Sequence, residues 1–222
     1  MSDARAVATM LMALVQYNVG LTLAAVAIAL PLACLMAFGR LAYSPLIHGA
    51  TTAYINVLRS SPLVMVMFWV YMVGPIITGR PSSAYFSALI ALAAFEVAYF
   101  AEIVRSGIQS VAVGQRDAGL AIGLNRWHVT WLIVLPQALR RMVPSLMTQS
   151  LICFQDSTIA SIISVPEILQ TTNIINARDR DPIFLYAALA IIFLLLCWST
   201  STLIRRLERH TKGRLMLEGY SV

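Results

Sequence analysis

The sequence predicts an all-α integral membrane protein with five transmembrane helices, and three observations carry that expectation. Hydrophobic residues make up 59% of the 222-residue chain and charged residues only 12%, whereas a soluble domain carries about 25% charged residues. Mean hydropathy is +0.77. The charges bound uncharged or nearly uncharged runs of about 20 residues, the length that crosses a bilayer. These runs occupy almost the whole chain, which predicts one membrane domain over 1–222 with no extramembrane catalytic domain.

The elements follow from reading between charges. Arg5 and Arg40 enclose 34 uncharged residues, giving a first span at about 15–38; a secretory signal would be shorter, with a small-residue cleavage site. Arg59 and Arg80 enclose 20, giving a second at 60–79, started by Ser60-Ser61-Pro62 and stopped by Gly74-Pro75. The third, 84–104, holds Glu96 and Glu102. The fourth, 142–165, holds Asp156 and is bracketed by Pro144 and Pro166. Asp181 and Arg205 enclose 23 uncharged residues, giving a fifth at 182–204.

Five spans put the termini on opposite sides, and the positive-inside rule chooses between the two orientations. With the N-terminus outside, the inner segments carry Arg40, Arg59, Arg105, Arg116, Arg126, Arg140, Arg141, Arg205, Arg206, Arg209, Lys212 and Arg214, which is 12 of the 16 basic residues. The outer segments keep Arg5, Arg80, Arg178 and Arg180, the last two offset by Asp179 and Asp181. The expected topology is N-out, C-in.

Several chemistries are excluded at this stage. The single Lys, Lys212, precedes Gly213, so no glycine loop ends in the Lys-Ser or Lys-Thr of a nucleotide site, and the chain hydrolyses no ATP by itself. A pI near 9.6 comes from short inter-helix segments and a tail rather than a basic stripe on a polar domain, which argues against nucleic acid. Cys34, Cys153 and Cys197 lie far apart in apolar runs, and His48, His128 and His210 are equally isolated. No HExxH or GxSxG sequence occurs, so neither a metal site nor any cofactor bound by this chain is expected.

The inner segment from about 106 to 136 is the longest outside the spans. Gln115–Ile122 fits a short helix with Asp117 in its first turn and Gly123 as the left-handed stop. Asn125 fits the cap of a second helix that presents Trp127, Trp131 and Leu135 to the membrane boundary and ends at Pro136. Periodicity alone leaves two readings, a lever for a partner or an amphipathic helix lying at the lipid interface. Trp127 and Trp131 are likewise either interface anchors or packing residues.

Here the sequence resembles a known family. Asp117-Ala118-Gly119, then Gly123, then Ile133-Val134-Leu135-Pro136 resembles the coupling signature of bacterial ATP-binding-cassette importer permeases, although the family's leading Glu-Ala-Ala is Asp-Ala-Gly here. Ala98-Tyr99, Glu102-Ile103, Arg105, Gly107-Ile108, Gly114-Gln115, Leu135-Pro136-Gln137-Ala138 and Arg59-Ser60-Ser61-Pro62-Leu63 look like the polar amino-acid branch. Phe95-Glu96, Ile152-Cys153-Phe154-Gln155-Asp156 and Arg178-Asp179 look most like permeases of the glutamate/aspartate type. The resemblance implies a type I importer permease fold in a bacterial inner membrane. It also implies two ATPase subunits below, a second permease subunit, most simply as a heterodimer, and a periplasmic amino-acid-binding protein above. Asp117, Ala118, Gly119, Gly123, Leu135 and Pro136 would then couple to the ATPase, which an importer without a nucleotide site needs as a mechanical input.

A carboxylate inside a span costs about 2.5–3.5 kcal/mol on insertion scales and marks a functional candidate. Glu102 pairs in sequence with Arg105 at i,i+3, which reads as a structural ion pair or as part of a path. Glu96 lies mid-span with Tyr99 on a neighbouring face. Asp156 sits in the polar run Gln155-Asp156-Ser157-Thr158, which in a bilayer lines a cavity or breaks a helix. Glu96, Tyr99, Arg105, Gln155, Asp156, Ser157 and Thr158 are therefore the candidate substrate path. The resemblance adds that position 155 is commonly Lys in relatives, so the cation for an acidic substrate must come from Arg105 or from the partner permease. Which subunit holds the substrate stays open. Glu167 to Asp181 would face the binding protein or stand as a solvated loop.

The competing reading is an ion-coupled carrier or channel in which Glu96 and Asp156 relay protons; the absence of an internal inverted repeat weakens it. A membrane-embedded enzyme finds no nucleophile or metal set.

Overall fold

The computed structural model describes residues 3–217. Residues 1–2 and 218–222 lie outside the described residues, as do the side chains of Arg209, Lys212 and Arg214 on which part of the topology argument rests. Among the described residues the chain is helical, with no strand.

Helix α1 (Asp3–Ala13), a π turn (Leu14–Val19) and α2 (Gly20–Arg40) run on as one helix of 38 residues. Next come α3 (Pro45–Ser60) and α4 (Leu63–Thr78). They are followed by α5 (Ala84–Gln109), α6 (Val113–Ala121) and α7 (Arg126–His128). A π turn (Val129–Val134) leads into α8 (Leu135–Asp156), which tightens to a 3₁₀ segment (Ser157–Ile163). Last are α9 (Ile168–Asp179) and α10 (Pro182–Leu217). Three helices are long and apolar enough to cross a membrane; there are five spans if the bent pairs α3/α4 (107°) and Arg126–Ile163/α9 (46°) each count as one.

The differences from the sequence reading have physical causes. Pro45–Ser60 is helix α3 rather than a connection; the uncharged run between Arg40 and Arg59 is interrupted by Ser44, Pro45, His48 and Asn56 and is too polar to read as a span. Gly74-Pro75 does not stop α4; the helix passes through Pro75 and ends where Gly79, at φ 66°, donates its N–H to Pro75 O at 2.9 Å. A proline inside a helix removes one donor, and a left-handed glycine is the stronger stop. Pro136 likewise does not end the second helix of the inner segment. The π turn before it carries Leu135 N–H to Thr130 O, which leaves Pro136 at the start of α8 where no N–H is needed, so the helix continues from Arg126 to Ile163. Helix α6 begins at Val113, which moves Asp117 out of its first turn.

The packing centre is α5 against α2. Leu21, Ala25, Ala29, Ala33 and Ala37, four residues apart, have no exposed surface on α2, and they meet a face of α5 that buries Ala88, Ala91, Ala98 and Ala101. Small residues let two backbones approach closely where lipid gives no hydrophobic drive. At the other end of the bundle, Ala6, Met10 and Leu14 pack on Ile168, Ile175 and Leu185. Apart from Leu185 and Ile204, helix α10 lies mostly outside this core, exposing Ile183, Leu194, Leu195, Trp198 and Leu203.

Candidate functional site

Helix α5 carries Glu96, Tyr99 and Glu102 at three-residue steps. Glu96 has no exposed surface, and it accepts hydrogen bonds from Gln149 Nε2 of α8 at 3.1 Å to Oε2 and 3.4 Å to Oε1. Gln149, Cys153 and Asp156 follow at i, i+4 and i+7, one face of α8. Asp156 therefore stands two turns along the face that meets Glu96. It is partly exposed, and its carboxylate takes no hydrogen bond among the described residues. The Phe95 and Tyr99 rings lie 5.0 Å apart between centres, tilted by 38°.

The run Gln155–Thr158 does not form one path, because successive helical residues point about 100° apart. Gln155 and Thr158 open onto a groove of about 500 Å³ shared with Leu169, Tyr186, Phe193 and Cys197. Ser157 points the other way and is buried. Its hydroxyl accepts from Asn18 Nδ2 at 3.0 Å and donates to Phe154 O at 2.7 Å. Asn18 Nδ2 also donates to Glu167 Oε2 at 3.2 Å, while its Oδ1 accepts from Ile168 N at 3.1 Å. Glu167 caps α9, accepting from Leu169 N and Gln170 N at 3.0 and 2.7 Å. This buried set pins the bend between the 3₁₀ segment and α9 to the π turn of the first helix, a usual place for such turns being where function or strain requires them.

Toward the inner end, Glu102 sits among three arginines from three elements. Arg105 donates through Nε at 3.1 Å and through Nη2, Arg40 donates through Nη1, and Arg59 stands off at 3.9 Å. Arg105 also binds Gln109, so its guanidinium is committed within α5 and does not point into a path with Glu96. Arg59 lies over the Tyr99 ring, 5.4 Å from its centre.

The inner segment is a braced helix–turn–helix. Gly123 adopts φ 88°, with Gly123 N bonded to Leu120 O and Leu124 N to Gly119 O, the geometry expected of a left-handed helix stop. Asn125 Oδ1 accepts from His128 N at 2.8 Å as the cap of the next helix. Gly119 is buried; a Cβ there would lie 2.7 Å from Ile133 Cδ1 and 2.9 Å from Val129 Cγ2. Asp117, Ala118 and Pro136 are exposed, and Leu135 is half-buried. Arg116 donates to Ile108 O and Arg126 to Tyr43 O–H, both at 2.8 Å, tying α6 to α5 and α7 to the end of α2. Trp127 and Trp131 are 67% and 44% exposed and lie 5.2 Å apart. The helix from Arg126 to Ile163 is roughly 55 Å long at about 1.5 Å per residue, far beyond the ~30 Å hydrocarbon layer.

With this geometry in place, comparison with known proteins decides the family. The model described as the binding-protein-dependent transport system inner membrane component matches residues 7–213. The chain belongs to that family. Among permeases similar to it, the glutamate/aspartate import permease protein GltK of Escherichia coli is 35% identical over 198 residues, covering 86% of this chain and 88% of the relative. The glutamine transport system permease protein GlnP of Escherichia coli is 32% identical over 160 residues, covering 72% and 73%. A solved amino acid ABC transporter with histidines aligns at TM-score 0.86 and 26% identity over 91% of this chain and 94% of that one. The MetNI methionine transporter, at 16% identity and TM-score 0.71, shares the fold.

A binding-protein-dependent permease is a transport subunit, with ATP hydrolysis in separate ATPase subunits, so the ion-coupled carrier and the membrane enzyme give way. The fold is that of solved ABC permeases. Sequence reasoning missed Gln149, Asn18 and Glu167, and it missed the convergence of Arg40 and Arg59 on Glu102. Asn18 was legible as a polar group in a span, and Glu167, following Pro166 before an apolar helix, as a candidate cap.

Proposed function

We propose that this permease subunit passes polar amino acids, glutamate and aspartate foremost, across a bacterial inner membrane. The observation that carries the substrate class is the likeness to a glutamate/aspartate import permease over 86% of the chain. In this reading the chain crosses the membrane five times, N-out and C-in, each bent pair forming one span, and it pairs with a second permease as a heterodimer. Two ATPase subunits engage the inner segment and a periplasmic amino-acid-binding protein docks from outside, with lipid around the rest and no cofactor held by this chain.

Coupling is assigned to Asp117, Ala118, Gly119, Gly123, Leu135 and Pro136. The turn at Gly123 supports this: α6 is braced to α5 and packs through Gly119 on a helix continuous with the one bearing Asp156, so force applied at α6 reaches the spans without a flexible joint. The exposed Trp127 and Trp131 extend the surface offered to the ATPase. Along the path, the partly exposed Asp156 offers negative charge to a substrate ammonium, while Glu96 stays buried against Gln149 with Tyr99 one turn away. Gln155 and Thr158 belong to the groove next to α10, and Ser157 holds the fold. The test is uptake of labelled glutamate, aspartate, glutamine and arginine by the reconstituted complex with and without ATP. Glutamate and aspartate should enter only with ATP; uptake of glutamine or arginine alone would move the substrate class, and uptake without ATP would remove the import reading.

A further inference from the structure

We propose that Arg59, at the elbow where α3 meets α4, receives the substrate's carboxylate in the translocation path. This rests on the import reading above and adds to it a group that the acidic residues of the path do not supply. Glu102 carries one negative charge, and three guanidiniums surround it. Arg105 and Arg40 already hydrogen-bond both of its oxygens, so its charge is met without Arg59. Arg59 Nη1 stands 3.9 Å away, beyond hydrogen-bond length. Among the described residues its guanidinium donates no hydrogen bond. It is a surplus cation with its fork of five donors unused, a shape that matches a carboxylate.

Its surroundings point the same way. The Arg59 side chain is 40% exposed, beside exposed Asn56, Ser60 and Pro62. A guanidinium and an amide so exposed in a membrane protein do not face hydrocarbon; they line water or another protein surface. The guanidinium is nonetheless held in place, lying over the Tyr99 ring at 5.4 Å, and Tyr99 is one turn of α5 from Glu96. An amino acid passing along α5 beside Tyr99 can thus turn a carboxylate toward Arg59. Arg105, the cation singled out by sequence, is occupied by Glu102 and Gln109, which leaves Arg59 as the available one of the three.

The experiment uses the complete importer in proteoliposomes, with saturating binding protein loaded with labelled glutamate. Uptake per ATP hydrolysed and the yield of assembled complex are read for the wild type, Arg59→Lys and Arg59→Gln. The proposal expects Arg59→Gln to assemble normally with uptake per ATP at least tenfold lower, and Arg59→Lys, which keeps the charge but loses the fork, to fall between it and the wild type. Lower yield with unchanged uptake per ATP in both variants would make Arg59 a clamp on Glu102 or on the second permease and overturn the assignment. An Arg59→Gln deficit that disappears in liposomes lacking phosphatidylglycerol and cardiolipin would assign the anion to a lipid headgroup and overturn it equally. Failure of the import reading looks different: the wild-type complex would hydrolyse ATP and carry none of the amino acids tested.

Discussion

Gln149 holds Glu96 by both carboxylate oxygens, at 3.1 and 3.4 Å, across the α5–α8 packing, and Glu96 has no exposed surface. The pair therefore links the helix that carries Tyr99 and Glu102 to the helix that carries Asp156, by hydrogen bonds that an apolar interior strengthens. Replacing Gln149 by Leu keeps the bulk but strands a buried carboxyl group. A loss of about 1–3 kcal/mol is expected, seen as a lower unfolding temperature of the detergent-purified complex. Adding Glu96→Gln should recover part of it, because a stranded amide costs less than a stranded carboxylate.

Gly123 sets the turn of the inner segment at φ 88°. Gly123→Val places a β-branched residue where left-handed backbone costs about 1–2 kcal/mol even for ordinary residues. Insertion should proceed, since the spans are untouched, while uptake per ATP falls. Unchanged coupling in that variant would count against the coupling role of the loop.

Gly119 is where α6 touches the π turn at its closest. Gly119→Ala pushes a methyl into Val129, whose branched side chain has little rotamer freedom, and into the mobile tip of Ile133. Overpacking of this kind costs about 1–3 kcal/mol. Thermal unfolding of Gly119→Ala against the double variant with Val129→Ala measures it, and the second substitution should restore most of the loss.

Asp156 separates two roles. If it meets the substrate ammonium, Asp156→Asn raises the transport KM with the yield of assembled complex unchanged; if it is structural, the yield falls and the KM does not. An Asp156→Asn importer with wild-type KM, yield and uptake would place the ammonium site in the partner subunit.

Much of this was legible from charge gaps because burying a charge in lipid is costly enough to forbid charges from most of a span. The same rule explains the omissions. Helix α3 buries little beyond Ile55 and mixes His48, Thr51, Thr52 and Asn56 into its uncharged run, so that gap does not read as a span. The stop of α4 reads as Gly74-Pro75 and the end of the inner segment's second helix as Pro136 because prolines look like breaks, whereas Gly79 and a π turn settle those places. Gly123 and Asn125 were readable because their roles are local, a backbone angle and a cap. Gln149, Asn18 and the Arg40–Glu102 contact were not, since each is defined by a partner 53 to 150 residues away, and spacing along the chain says nothing about which helices become neighbours.

The alanine stripe of α2 has a consequence for how the molecule assembles. An alanine methyl has no rotamers to lose, so bringing Ala25, Ala29, Ala33 and Ala37 against α5 freezes almost no side-chain freedom, whereas the leucines and methionines at the other seams must each be fixed. In a bilayer, where water expels nothing, that saving makes α2 and α5 the pair expected to find each other first, with the remaining helices docking onto a frame already set.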